Sequence, residues 1–473
     1  MVSAAAIGKL GGEEFYRFYK RIVETDTTNM EDISRGIVLK KNYIKCSKII
    51  AAQCRSLGME TTIFEPVREK IFKPIDKKPR PNVIADIDNG KKKTVLILSH
   101  YDVVPVPKTQ KWNTNPFKLV FKNGKFFARG SSDDKGSGVL CTLAALSEME
   151  NIPVNVRAIF ACDEETQGSG GLESIKIHDR LNPKDKILAG DLALLPDGDP
   201  HVSGGSSGVV FGDIEFNGNF PVFLKFLKNL IAYKQVREKM NSVLSAPDWP
   251  SSPSRKITGR FTVTKLFWAS KKAKLSSGGN SNNTIPDMVL GKIGSGKIEI
   301  LGKGGHAGLP HCFKNPIELS IPVMEELKIA ESGTGRIGFD MRLIPEEDPN
   351  KAFRKFLGFY RSIKPSGAKL TAPPERRKHG YFLKPKDPAV VLLKKSFESV
   401  TGKKHKVLGD YGGSDATSFI GLKTPDGKPL KALLFGSEGK GTNIHGANEN
   451  APPSALRKNM EIIKWLLRNS QFL

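Results

Sequence analysis

Cysteine is sparse in this sequence. Only Cys46, Cys54, Cys141, Cys162 and Cys312 occur among 473 residues. The number is odd and no C-x-x-C pair exists, which excludes zinc–thiolate chemistry and fits a reduced compartment. Cys141 and Cys162 sit in apolar runs and read as core residues. Long hydrophobic runs are also missing: no stretch approaches the ~18 apolar residues of a membrane span. No secretory signal is recognisable, because a short Ala run soon gives way to Glu13-Glu14-Phe15-Tyr16-Arg17. A cytoplasmic protein with no membrane partner is therefore expected. Acidic residues are the minority, 49 against 74 Lys and Arg, for a net charge of +25. Lysine and arginine cluster at Lys91-Lys92-Lys93, Lys271-Lys272 and Arg376-Arg377-Lys378. Such charge suits nucleic acid or acidic membrane surfaces. The basic residues are spread over the whole chain, however, and no nucleic-acid motif with interleaved aromatics occurs. A solvated basic surface is the expectation, and nucleic acid is not an expected partner.

The chain is too long for one ordinary core, so at least two domains are expected. Up to about residue 205, helical and strand patterns alternate. Glu14 to Thr25, Asn42 to Leu57 and Gly138 to Met149 carry helical spacing. Thr94 to Leu98, Val154 to Ala161 and Leu192 to Leu195 are β-prone apolar runs of the kind buried on both faces. Lys118 to Ala128 reads as a hairpin around Asn123-Gly124. This rhythm predicts a mainly parallel sheet flanked by helices. From about 207 to 370 the texture changes. A basic helix from Val222 to Met240 is followed by a Ser/Pro/Lys-rich stretch at Ser245 to Lys256. Strands are expected at Lys297 to Leu301 and Arg336 to Arg342, and helices at Pro316 to Ser332 and Lys351 to Ser362. From Asp387 the βα rhythm resumes: a helix to Thr401, a strand at Ala432 to Phe435 and a helix from Ser454 to Arg468. The expected fold class is α/β: a metal-binding catalytic domain, residues 1–206 and 371–473, interrupted by a smaller α+β domain, residues 207–370. No internal repeat is visible.

Five short segments carry the chemistry: Ser99-His100-Tyr101-Asp102, Arg129 to Gly136, Asp163-Glu164-Glu165-Thr166, Leu195 to Asp199 and Asn443-Ile444-His445-Gly446. The first four follow at steps of about 32 residues. Three of them directly follow predicted core strands, where ligands gather in open α/β sheets. Singly, each has an ordinary explanation as a turn or a strand end. Jointly they supply two imidazoles, three carboxylate ligands and one spare carboxylate. That inventory suits two metal ions sharing one carboxylate, with a base left over. Asp102, two residues after His100, is placed to hold the second nitrogen of that ring.

The segments SHYDVVPV, ARGSSDDKG, DEET, LLPDGD, GGNSNNTIPD, GKGGHAGLP, FDMRLIP, GGSDA and NIHGANE resemble those of the co-catalytic metallopeptidases. That family holds aminoacylases, carnosinases, acetylornithine deacetylases, succinyl-diaminopimelate desuccinylases and bacterial dipeptidases. The segment order, with GGNSNNTIPD before GKGGHAGLP, is most similar to the dipeptidase branch. The resemblance implies two divalent ions per chain, zinc first, with manganese or cobalt as alternatives. His100 and Asp197 would hold one and Glu165 and His445 the other, with Asp133 bridging both through a loop whose Asp133–Asp134 peptide is often cis. Glu164 would be the general base and Asp102 would support His100. His306 would donate to the oxyanion from the inserted lid or dimerisation-type domain. Arg342 would grip a substrate carboxylate and Asn283 orient the substrate, with Gly413 and Glu449 lining the pocket. Asp199 could compete with Asp197 as ligand, and Ser245 to Ser277 has no counterpart in the pattern. The expected activity is amide hydrolysis of a small carboxylate-bearing substrate, most readily a dipeptide, by a monomer or homodimer. The alternatives are an N-acyl amino acid deacylase or an inactive homologue that binds peptide or nucleic acid. Retention of Glu164 with all five ligands opposes the last.

Overall fold

The computed structural model describes residues 2–28, 36–66, 79–107, 110–166, 170–243, 261–277, 282, 284–307, 314–372, 376–410 and 412–472. Asn283, Cys312 and the Ser245 to Lys256 stretch lie outside the described residues. Two large sheets organise the molecule. The first runs in the order Glu60–Phe64, Asn82–Ile87, Asn155–Ala161, Thr94–His100, Leu192–Leu195, Lys431–Leu434. The last four of these strands are mutually parallel, and Asn82–Ile87 runs against both of its neighbours. The sheet is thus mainly parallel. Its central strand shows why: Val95 and Ile97 join one apolar cluster, while Leu96 and Leu98 join another on the opposite face. A strand covered on both sides needs the continuous apolar run seen here.

The second sheet is antiparallel throughout. Its path is Gly296–Leu301, Met288–Ile293, Ala273–Ser276, Phe261–Ala269, Ser332–Leu343, Gly208–Asn219, Ala368–Thr371, with Arg377–Lys378 also paired to Gly208–Asn219. Residues 261–277, without a counterpart in the motif pattern, supply two of its strands. Helices Phe220–Val243, Pro316–Glu326 and Pro349–Ile363 accompany it. Their shared core is rich in rings, with Trp268, Phe223, Phe339 and Phe356 fully buried. The helix expected to reach Ser332 ends at Glu326, because Ser332 already begins a strand paired along its length with Gly208–Asn219.

Smaller pieces position loops. The hairpin of Val120–Lys122 and Lys125–Phe127 turns at Asn123 and Gly124, both with positive φ. It pairs with Asn450–Ala451, just beyond His445. Val202–Ser206 pairs in parallel with Val407–Asp410. Cys46, Cys54, Cys141 and Cys162 are buried free thiols. Among the described residues no helix is long and apolar enough to cross a membrane.

Candidate metal centre

The parallel strands deliver the acidic and imidazole groups to one end of the first sheet. Thr94–His100 runs in register with Asn155–Ala161, so His100 lies opposite Ala161, a few residues before Glu164. Leu192–Leu195 ends two residues before Asp197. The Asp133–Asp134 peptide is cis, and Asp133 divides its carboxylate between two histidines. His100 Nε2 lies 3.1 Å from Asp133 Oδ1 and 3.8 Å from Asp197 Oδ2. His445 Nε2 lies 2.9 Å from Asp133 Oδ2 and 3.1 Å from Glu165 Oε2. His100, Asp133 and Asp197 therefore form one converging trio, and Asp133, Glu165 and His445 a second. Each combines one imidazole with two carboxylates, a donor set that accepts zinc, manganese or cobalt. The arrangement fits two divalent ions with Asp133 between them.

Electrostatics give the same reading. Burial alone would raise the Asp133 carboxyl, but hydrogen bonds to His100 and His445 outweigh it and hold it well below the usual range. Burial works against a charged His445, yet Glu165 and Asp133 push it up to about 10. Burial, with Asp133 and Glu165 adding repulsion, pushes Asp197 up to about 7. So much buried negative charge calls for cations.

Supports surround the ligands. The His100 ring places Nδ1 at 3.1 Å from the Asp102 carbonyl and 3.4 Å from its carboxylate, leaving Nε2 to face the centre. The same Asp102 carboxylate accepts the backbone N–H groups of Glu164 and Glu165, both at 3.1 Å. One aspartate thus fixes an imidazole ligand and the turn that carries the spare acid. Glu164 lines the cavity but joins neither trio. Burial raises its carboxyl well above the ordinary value, with Asp415, Asp197 and Glu165 contributing.

Arg342 reaches this cavity from the second sheet, and His306 from a separate two-stranded ribbon, Thr284–Ile285 with Gly305–His306. His306 stands on the short strand Gly305–His306, with its ring 4.8 Å from that of His445. Its strand lies against the loops of the centre: a Cβ on Gly412 would be in ordinary contact, 3.5 Å, with the His306 ring, and one on Gly446 3.5 Å from the Gly304 carbonyl. Burial holds the His306 pKa well below its ordinary value, reinforced by His445 and Arg342, so the ring is neutral. Arg342 is anchored by Asp340, which accepts from Nε at 2.8 Å and from Nη2 at 2.7 Å. Its Nη1 is turned toward Gly413, where a Cβ would come within 3.6 Å.

Two expectations are corrected. Glu449 does not line the cavity; it is fully buried behind the Asp133 loop. It accepts the N–H groups of Ser132 and Asp133 at 3.0 and 3.2 Å and pairs with Arg129 at 2.6 Å. Only a counter-ion as close as Arg129 makes so buried a carboxylate tolerable. Asp199 does not compete with Asp197 in either trio; it converges with His201 and Asp410. Reasoning from sequence missed His201, Asp410, Lys378 and Glu438, all but His201 in the cavity wall. It also missed Gln110, whose Nε2 donates to the His445 carbonyl at 2.9 Å. None of these stands in a recognisable motif beside a ligand of the centre.

The chain belongs to the peptidase family M20/M25/M40, whose model matches residues 96–469. It is 36% identical over 198 residues to a succinyl-diaminopimelate desuccinylase of Buchnera aphidicola, covering 40% of this chain. Against that relative, and against a metallohydrolase of Methanocaldococcus jannaschii, the chain spans about half the relative's length. A cysteinylglycine-S-conjugate dipeptidase of Corynebacterium striatum is 23% identical over 440 residues, 87% of each chain. The solved structure of the dipeptidase Dug1p of Saccharomyces cerevisiae superposes with a TM-score of 0.69 at 15% identity, covering 98% of this chain and 97% of that one. The last similarity establishes the fold alone.

Proposed function

We propose that this metallohydrolase cleaves the amide bond of a small peptide bearing a free carboxylate, a dipeptide in the first instance. The observation that carries the reading is the convergence of Glu164, His306 and Arg342 on one cavity beside the two ligand trios. In this reading residues 207–370 act as a lid over a catalytic unit formed by 1–206 and 371–473. His100, Asp133 and Asp197 hold one divalent ion, and Asp133, Glu165 and His445 hold the other. Zinc is the first choice, with manganese or cobalt as substitutes. When bound, such ions supply a Lewis acid for the scissile carbonyl and lower the pKa of water.

The chain's own groups do the rest. Glu164 takes the proton of the attacking water and returns it to the leaving nitrogen. The neutral His306 ring donates an N–H to the developing oxyanion without adding a competing cation. Arg342, locked by Asp340, presents the Nη1 edge to the substrate carboxylate across Gly413. Similarity to a desuccinylase supports a second reading, an N-acyl amino acid as substrate.

A metal-supplemented hydrolysis screen separates the two. Dipeptides, N-acetyl and N-succinyl amino acids, and C-terminally amidated dipeptides are compared by kcat/KM. Free dipeptides should be preferred, and amidation should cost about 10- to 100-fold, the worth of one charge-assisted hydrogen bond. Preference for N-acyl amino acids selects the second reading. Indifference to amidation removes Arg342 from carboxylate recognition.

A further inference from the structure

Among the described residues, the proposed reaction leaves one histidine-bearing group of metal-type donors unused. Asp199, His201 and Asp410 each bring a ligand atom within 4.8 Å of the others. Asp410 ends the strand Val407–Asp410, paired in parallel with Val202–Ser206. Asp199 and His201 occupy the turn leading into that second strand. The turn is fixed by its backbone, since the Asp199 carbonyl accepts from His201 at 2.8 Å and from Gly436 at 3.2 Å. Asp410 thus stands at the end of a paired strand, and Asp199 and His201 in a hydrogen-bonded turn beside it, as a preorganised site requires.

We propose that Asp199, His201 and Asp410 form a third divalent-cation site, for an ion of the zinc or manganese class, on the wall of the same cavity. Its donor set, one imidazole and two carboxylates, is that of each trio in the main centre. The spacing is also the same: His201 Nε2 stands 3.0 Å from Asp410 Oδ1, against 2.9 to 3.1 Å for the shortest pairs around Asp133. A second observation points to a ligand. Asp410 is only 6% exposed, and its Oδ2 has no hydrogen-bond partner. His201 Nε2 is buried beside Asp410 Oδ1 and has no partner other than that carboxylate. A buried carboxylate oxygen left unmatched is costly, and a shared cation between the three side chains would satisfy it. Asp199 and Asp410 line the cavity together with Glu164 and Arg342. Three protein donors leave coordination positions open toward it, for water or an oxygen of the substrate.

The test is a metal count on purified full-length protein, saturated with zinc and then dialysed. The native chain should retain about three ions, and His201→Ala and Asp410→Asn about two each, with unchanged far-ultraviolet circular dichroism. Glu165→Ala should also fall to about two, and its combination with His201→Ala to about one, because different ions are lost. A native count of two overturns the proposal, even where a variant fails to fold. So does a count unchanged in a folded His201→Ala protein. No outcome depends on hydrolysis. A third ion in a chain inactive on every peptide would support this site and refute the proposed activity, and the converse result would do the reverse.

Discussion

The first sheet ends in charge, whereas the second is filled with rings. Around the parallel strands, His100, Asp102, Asp133, Asp134, Glu165 and His445 are all at most 7% exposed. The antiparallel sheet packs Trp268 against Phe216, Phe220 and Phe223, with ring centroids 5.0 to 6.2 Å apart. The first arrangement is costly without cations, since each buried carboxylate loses its water. The second is self-sufficient, because burial of aromatic area stabilises it directly. The contrast assigns labour. The strand ends hold a fixed field of negative charge, and the ring-filled unit carries two nitrogen-bearing side chains to meet it. A close-packed aromatic core suits the carrier role proposed for it, in which Arg342 and His306 stand over the centre.

The sharpest way to break this comparison lies within the charged region. Chelation should abolish hydrolysis, and a divalent ion should restore it. Glu164→Gln should lower turnover by about 10²–10⁴-fold with both ions of the main centre retained, the range for loss of a general base. Glu165→Gln should instead lose an ion. Metal analysis and turnover, measured on the same samples, decide it; exchanged phenotypes would show that the two neighbouring acids have been assigned in the wrong order.

A smaller effect comes from the carrier. His306→Ala should lower turnover by roughly 10²–10³-fold, as for one oxyanion donor. His306 stands beside His445 of its own chain, so donation within one chain is expected. Mixing inactive Glu164→Gln and His306→Ala chains should therefore recover nothing, even where mixed dimers are demonstrated. Recovered activity would mean that a partner supplies the ring in solution.

Part of the charged region was legible in the sequence, because His100, Glu165 and Asp197 each stand at or just beyond a short apolar run that forms a strand, whereas Asp133 and His445 lie in polar loops and were marked by motif alone. Asp102 could be paired with His100 on spacing alone, but its grip on the Glu164–Glu165 backbone could not be read. Glu449 was misread because it stands beside the His445 motif, while the partner that explains it, Arg129, is distant in sequence. The Asp199–His201–Asp410 group was hidden for the same reason. Val202–Ser206, which aligns it, reads VSGGS and offers no apolar alternation to mark a strand. The helix end at Glu326 was lost to a competing strand, a choice made by pairing across the sheet rather than by local propensity.

The smallest expected effect tests whether charge also stabilises the first region away from its centre. Glu148 follows the helix Cys141–Ser147 and accepts from Lys464 at 2.7 Å and from Arg457, both on the helix Pro453–Asn469. Glu461 joins them, 2.6 Å from Arg457 and 2.8 Å from Lys464. Burial alone would raise the Glu148 carboxyl, but the hydrogen bonds from Arg457 and Lys464 outweigh it and lower its pKa. A folded-state pKa below the unfolded one gives stability that is present above the ordinary glutamate range and lost as pH falls through the folded value. Glu148→Gln should therefore cost about 1–2 kcal/mol at pH 7, between the worth of an exposed pair and the loss of a buried one. The gap between native and variant should narrow as pH falls below the ordinary glutamate range and close once the native carboxylate, with its lowered pKa, takes up its proton. Denaturant unfolding of both proteins at each pH isolates the effect, because the acids of the metal centre are common to the two and cancel in the difference. A gap that stays constant across this range would assign the cost to packing of the Lys464 stem instead of to the ion pair.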